Sequence, residues 1–215
     1  MPREKFDREI NAVSSDLLIL GGMVDKAIES SLIALKNMDN QLAEDIIYQD
    51  DFIDRKQIEI EERCNNLIAT QQPMATDLRT LISIIHIAVE LERMGDYAEG
   101  IAKISIKMGK EGPLKPLIDI PKMGDISRDM LRKSLDALVN RDLIAAQNVL
   151  KQDDEVDQLY QAVFQELLGM MNTNADVIKR ATYLLWVAHD LERVADRATN
   201  VSERVIYLIT GKLES

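Results

Sequence analysis

The sequence predicts an all-α protein built as two tandem three-helix bundles related by internal duplication. Apolar residues recur every three and four positions over long runs, which is the period of a buried helix face. Only five prolines and nine glycines interrupt 215 residues, while ten methionines and many Ile, Leu and Ala favour helix. Short motifs also return about one hundred positions later, the mark of a repeated structural unit.

The first helix is expected from near Glu4 to near Met38, with Leu17, Leu20, Val24, Ala27, Ile28, Ser31 and Leu35 on one face. Gly21-Gly22 either bends it or lets a neighbour pack closely. Asp39 is placed to cap a second helix, whose apolar positions Leu42, Ile46, Ile53, Ile60 and Leu67 carry it to about Thr70. Gln71-Gln72-Pro73 disfavours continuation. A third helix starts at or just after Pro73, with Asp77 suited to the positive end of the helix dipole. Ile84, Ala88, Leu91, Gly95, Ala98 and Ala102 form its seam to about Met108.

Between Gly109 and Pro121 the texture changes, with two glycines and three prolines crowded together, so the chain divides into units 1–110 and 122–215 joined by a linker 111–121. The pattern then returns as helices from about Lys122 to Asn140, from Asp142 to about Met171 and from about Ala175 to Leu208, with Gly211 as terminator. Asn37-Met38-Asp39 matches Asn140-Arg141-Asp142, and the Asp50-to-Asp54 segment matches Asp153-to-Asp157, both at an offset of 103. Ala88-Val89-Glu90-Leu91-Glu92-Arg93 matches Ala188-His189-Asp190-Leu191-Glu192-Arg193 at an offset of 100, which puts a three-residue difference in the turn between the second and third helices.

Composition narrows the function classes. A formal charge of −11 opposes a phosphate backbone, and 4% aromatic residues leave few platforms for stacking bases, so nucleic acid is disfavoured. The single cysteine, Cys64, excludes a disulfide framework or a cysteine-rich metal site and reads as a buried small hydrophobe. The opening residues are polar and alternately charged, without a signal-peptide pattern, and no apolar run approaches the ~18 residues of a membrane span. The expectation is a cytoplasmic protein that reaches a membrane only through partners.

The chemistry concentrates in paired acids. Glu92 and Asp96, and one repeat later Glu192 and Asp196, stand at i and i+4 on one helix face. Glu99 extends the first flank, while Thr199, Asn200 and Glu203 extend the second. The preceding helices add Asp50 with Asp54, and Asp153 with Asp157. Adjacent like charges repel and cost more when buried, so antiparallel packing that set these pairs opposite one another would make an all-oxygen site for Mg²⁺, Mn²⁺, Ca²⁺ or ferric iron. The rival reading is a solvated acidic surface balanced by Arg93 and Arg193. No Glu-x-x-His motif of a di-iron bundle occurs, and His86 and His189 do not align between the repeats, so both read as packing or hydrogen-bonding residues. Trp186 and Tyr183 read as core or interface residues. No glycine-rich phosphate loop, Ser-His-Asp or Cys-His arrangement stands out, which leaves a hydrolase without machinery.

Together, Gln49-Asp50-Asp51-Phe52-Ile53-Asp54, Asp77-Leu78-Arg79, Glu92-Arg93-Met94-Gly95-Asp96-Tyr97-Ala98 and Glu192-Arg193-Val194-Ala195-Asp196-Arg197-Ala198-Thr199-Asn200 make the chain resemble the PhoU family over essentially its whole length. The resemblance implies two similar three-helix bundles, some members binding multinuclear iron or other metal clusters. It implies candidate ligands Glu92, Asp96, Glu192 and Asp196, with Asp50, Asp54, Asp153 and Asp157 contributing and Glu99, Asn200 and Glu203 completing the set. Metal ions are the implied cofactors, an iron cluster first and Zn, Mn, Mg or Ca as alternatives. The implied function is non-enzymatic: negative regulation of phosphate uptake by a homodimeric adaptor between the ATPase of a phosphate ABC transporter and a phosphate-sensing histidine kinase. A metal-binding or metal-storage bundle without a signalling role is the alternative. Thr199 in place of Glu99, Asn200 in place of Gly100, and Tyr160 and Phe164 in place of Gln57 and Glu61 imply that the two clusters differ.

Overall fold

A computed structural model of the protein describes residues 3–212, the side chain of Lys110 excepted. The outermost residues of the two expected units, 1–2 and 213–215, lie outside the described residues. Six helices follow in order: α1 (Arg3–Asn37), α2 (Asn40–Gln71), α3 (Thr76–Met108), α4 (Asp119–Asn140), α5 (Leu143–Thr173) and α6 (Ile178–Thr210). Single 3₁₀ turns lie at Gly109–Glu111 and Ala175–Val177, and no strand occurs among the described residues. In each repeat the three helices pack on one another, and the repeats meet where α3 lies against α6 and α1 against α4. Most buried apolar residues of both halves form one contiguous core, with Ala34, Ala43, Ile46 and Ala102 in a small separate cluster.

The hairpins that open each repeat are built alike, because the same local chemistry recurs. Met38 and Arg141 close α1 and α4 in the left-handed region, at φ 55° and 50°, where an L-residue is strained. The next residue offsets that cost: Asp39 and Asp142 each accept a hydrogen bond from the backbone N–H three residues on, at 3.0 Å, and so cap α2 and α5.

Helix ends correct the sequence reading in three places. α4 starts at Asp119, not Lys122, because Pro121 falls in the first turn, where a missing N–H has no intrahelical acceptor to lose. The linker thereby shrinks to Gly112–Ile118 between the 3₁₀ turn and α4. Ala175–Val177 is a 3₁₀ turn that leads into α6, with the Asn174 side chain accepting from Asp176 N–H at 2.9 Å. The turns 72–75 and 174–177 are equal in length, so the three-residue difference comes out of the helix ends that flank them.

The α1–α4 contact shows how closely the duplication is kept. Gly21 of α1 lies under the Leu135 side chain of α4, and Gly124 of α4 lies under the Leu32 side chain of α1. Both pairs are related by the offset of 103, so each leucine fills the space that the opposite glycine leaves. α1 runs through Gly21-Gly22 without a break, so close packing is the role of the first glycine. Beside this contact Arg128, almost fully buried, donates to Asp25 at 2.9 and 3.3 Å and pairs with Glu29 at 2.9 Å, while Arg132 reaches Asp25 at 2.9 Å.

Gly124→Val forces a branched side chain into the space that Leu32 occupies, and overpacking of this kind costs about 1–3 kcal/mol. Urea unfolding should register that loss, and Leu32→Ala in the same chain should recover part of it. An additive double variant would show that the two residues do not share the space.

Candidate metal centre

Two helices of the first repeat converge their acids. Asp50 and Asp54 share a face of α2, and α3 brings Asp96 opposite, so that one oxygen from each of the three lies within 4.8 Å of the others. Gly95 permits this approach: a Cβ there would stand 3.2 Å from Asp50 Oδ1 and 3.1 Å from Ile53 Cγ2. Asp50 is 9% exposed and finds no hydrogen-bond donor among the described residues. The Asp54 Oδ1 is buried without a partner as well. Unpaired buried carboxylate oxygens are costly, and a cation is the simplest remedy.

The titration behaviour agrees with that crowding. Burial pushes the Asp50 carboxyl up to about 7, with Glu99, Asp54 and Asp96 adding repulsion and Lys103 opposing it. Glu92 is raised by burial and then by Asp96 and Asp54, and Asp96 by burial and then by Asp54 and Glu99. Glu92 and Glu99 therefore stand beside the triad, and Glu99 is held by Lys103 at 2.5 Å. A groove between α1 and α2, lined by Met23, Lys26, Ile46 and Phe52, reaches Asp50, and Asp96 on the other side of the triad is exposed.

The second repeat brings the equivalent acids near one another: Asp157 and Glu192 line a shared open pocket, and Asp153 Oδ1 is buried without a partner, as Asp54 Oδ1 is. Burial raises the Asp153 carboxyl to about 6, followed by Asp157, Asp196, Glu192 and Asp154. Here Arg193 turns back on its own helix: Nε donates to Glu192 Oε2 at 2.8 Å, Nη2 to Glu192 Oε1 at 3.2 Å, and Nη1 pairs with Asp196 Oδ2 at 2.8 Å. Among the described residues, three converging acid oxygens within 4.8 Å occur in the first repeat only. Two members of the expected ligand set also face elsewhere. Asn200 donates to Glu90 Oε2 of α3 at 3.0 Å, beside Arg197 at 3.1 Å, and Glu203 is exposed.

Single residues outside the clusters divide between places the sequence suggested, as for Cys64 and Asp77, and different ones. Cys64 is buried, and burial pushes its thiol up to about 12, as a packing residue requires. Trp186 is half exposed beside Tyr183, ring centroids 5.8 Å apart, so it lies on the surface of α6 and not in the core. Both His86 and His189 are exposed, with His189 next to Asp190 at 3.7 Å. Asp77 sits in the first turn of α3, as the dipole favours, and is held there by Arg3 at 2.5 Å. Sequence reasoning missed Lys103, although its i+4 spacing from Glu99 was legible; of the two arginines it set against the acids, Arg193 pairs with Glu192 and Asp196, whereas Arg93 forms no ion pair among the described residues.

A duplicated all-α bundle with acid pairs at matching positions on its second and third helices defines a narrow class of protein. The PhoU domain matches this chain twice, over residues 17–105 and 120–205, and the chain belongs to the PhoU family. A protein of Clostridium acetobutylicum named phosphate-specific transport system accessory protein PhoU homolog is 42% identical over 99% of this chain and 97% of its own length. Its namesake from Aquifex aeolicus is 38% identical over 97% and 95%. The crystal structure of PhoU from Pseudomonas aeruginosa superposes with a TM-score of 0.92 at 34% identity, covering 96% of this chain and all of that one. The phosphate transport system regulatory protein PhoU from Streptococcus pneumoniae superposes with a TM-score of 0.91, covering 98% and 99%.

Asp50 and Asp153 titrate higher in the folded chain than their ordinary value of 3.8, so the folded state keeps protons that the unfolded state has lost. The stability they lend is full below about pH 4 and is lost as pH rises through about 6 for Asp153 and about 7 for Asp50. In chelator-treated protein, unfolding free energy should fall between pH 5 and 7 by at most about 1.4 kcal/mol per pH unit for each group. Asp50→Asn should flatten that fall; an unchanged pH profile would contradict the buried, crowded setting of Asp50.

Proposed function

We propose that the protein is a non-catalytic negative regulator of phosphate uptake. It works in the cytoplasm as a homodimeric adaptor that meets the ATPase of a phosphate ABC transporter and a phosphate-sensing histidine kinase. The observation that carries this reading is similarity over nearly the whole chain to proteins named as accessory to phosphate-specific transport. The surface suits protein contacts: it is strongly acidic overall, and its long helices leave apolar side chains such as Tyr48, Phe52, Ile58 and Trp186 exposed. Deleting the gene in its native host should leave phosphate-uptake genes expressed in phosphate-rich medium, and supplying it again should restore repression. Unchanged expression in rich and starved medium would end this reading.

Metal binding belongs to the same proposal. The buried, partnerless Oδ1 of Asp54 and the nearly buried Asp50 carboxylate beside it fit a cation, and an all-carboxylate set suits Fe³⁺, Mn²⁺, Mg²⁺ or Ca²⁺ better than Zn²⁺, which favours nitrogen and sulfur. Asp50, Asp54 and Asp96 would hold it, with Glu92 and Glu99 alongside. Bound there, a cation supplies charge neutralisation between α2 and α3. Metal storage draws less support, because a store needs many sites and the described residues converge three acid oxygens at one place.

Saturating Mn²⁺ at one hundred times its dissociation constant should raise unfolding free energy by about 2.7 kcal/mol. Thermal melts with and without chelator check this. Glu92→Gln combined with Asp96→Asn should abolish the shift while leaving far-UV circular dichroism unchanged.

A further inference from the structure

The duplication supplies an internal reference for the surface of α2. At the offset of 103 its buried residues keep buried counterparts in α5, Ile46 with Val149, Ile53 with Val156 and Ile60 with Val163, so the two helices are seated alike. Their outward faces differ. On α2 the exposed side carries the large apolar residues Tyr48, Phe52 and Ile58. The same positions of α5 hold Lys151, Glu155 and Gln161, all exposed, which is the composition of a helix face that meets water alone. The charges have diverged as well: exposed Glu44, Asp45 and Glu62 of α2 correspond to Gln147, Asn148 and Gln165 of α5. With exposed Asp51 and Glu59, these acids surround a single exposed base, Arg55. Apolar side chains held outside the core do not help the helix to fold, so this face needs another explanation.

Tyr48 and Phe52, one turn apart, meet edge to face with ring centroids 5.7 Å apart, and the Arg55 guanidinium lies 5.6 Å from the centre of the Phe52 ring. Phe52 is also one wall of the groove between α1 and α2, a cavity of about 350 Å³ whose other apolar walls include Met23, Ala27, Ile46 and Ile53. We propose that this face of α2 is a docking surface for a basic amphipathic segment of a protein partner. Apolar side chains of the segment meet Tyr48, Phe52 and Ile58, one of them entering the groove, while its lysines or arginines meet the flanking acids. The proposal rests on the adaptor reading above and names the part of the molecule that meets a partner. Charge selects the occupant. A second copy of this chain brings its own net charge of −11, and a nucleic acid or an anionic membrane brings phosphates, so each is repelled where a cationic segment is attracted.

The test is fluorescence anisotropy of a labelled amphipathic leucine–lysine peptide with the full-length chain, beside a leucine–glutamate peptide of the same pattern, with circular dichroism to confirm folding. The lysine peptide should bind, more weakly as salt rises, and the glutamate peptide should not. Tyr48→Lys with Phe52→Glu and Ile58→Gln gives α2 the residues of α5 at unchanged net charge, and should weaken binding about tenfold or more, as loss of anchoring aromatics does. Glu44→Gln with Asp45→Asn and Glu62→Gln should weaken it too and reduce its salt dependence. Trp186→Ala, which removes an exposed ring on α6, should leave it unchanged. In the deletion host, both triple variants should fail to restore repression where wild type restores it. No binding of the lysine peptide, equal binding of the two peptides, or unchanged binding by the apolar triple variant would overturn the assignment of this face. Full repression by a variant that no longer binds the peptide would overturn it as well. Failure of wild type itself to restore repression would overturn the adaptor reading, and the peptide measurements would still judge the surface.

Discussion

Because α3 and α6 each bury one side on the other and further sides on the helices of their own repeat, little of their circumference is left for polar groups. Leu91, Met94, Ala98, Ile101 and their counterparts Leu191, Val194, Ala198 and Val201 are fully buried along this central pair. The acids occupy the flank that remains, between α3 and α2 in one repeat and between α6 and α5 in the other. Their position follows from the core: an acid one turn further round would be inside it, and one further out would be free in water. Partial burial is what raises the carboxyls of Asp50, Glu92, Asp96 and Asp153.

Duplication explains the symmetry of this arrangement, and divergence explains where it fails. The reciprocal glycine and leucine pairs of α1 and α4 have been kept, since losing either partner opens a void or creates a clash. At the α3–α6 contact the polar pairs have drifted. Glu90 is met by Arg197 and Asn200, while its counterpart Asp190 lies against Gly100, 3.0 Å from where a Cβ would stand. Burial raises Asp190 and neighbouring His189 offsets part of that rise. Packing geometry has thus been conserved between the halves more strictly than charge pairing, as expected when a methyl-sized misfit costs more than a half-exposed ion pair.

Much of the architecture was legible because it depends on local rules. Asp39 and Asp142 announce their helices by type and position, and the 3.6-residue period of Leu17 through Leu35 identifies a buried face whatever it packs on. The same period put Asp50 with Asp54, and Glu92 with Asp96, on common faces. What the sequence left open was settled by contacts between elements. The height at which α2 meets α3 decides that Asp96 joins the Asp50 pair. The neighbour across α3 and α6 decides that Asn200 serves Glu90 and not the second cluster. Arg93 and Arg193 share the Leu-Glu-Arg-x-x-Asp pattern, so the pairing of Arg193 with Glu192 and Asp196, and its absence at Arg93, was read from the folded chain. For Trp186 the sequence left core and interface open, and its half exposure on α6 excludes the core.

The placement of the acids also determines which part of the molecule answers to their charge state. α2 packs only on α1 and α3, so its seating depends on fewer contacts than that of α3, which is gripped by α1, α2 and α6. Carboxylates facing each other across the α2–α3 junction push these two helices apart when ionised and release that push when protonated or neutralised by a cation. A ligand shifts a conformational equilibrium only by the difference in its affinity for the two states. An ion coordinated by both α2 and α3 favours the seated arrangement, whereas an ion bound by α2 alone does not distinguish the two. The triad meets this condition because Asp50 and Asp54 come from one helix and Asp96 from the other. On the proposed metal reading, the outer face of α2, with Tyr48, Phe52 and Ile58 exposed, is the surface whose position would answer most directly to cation binding.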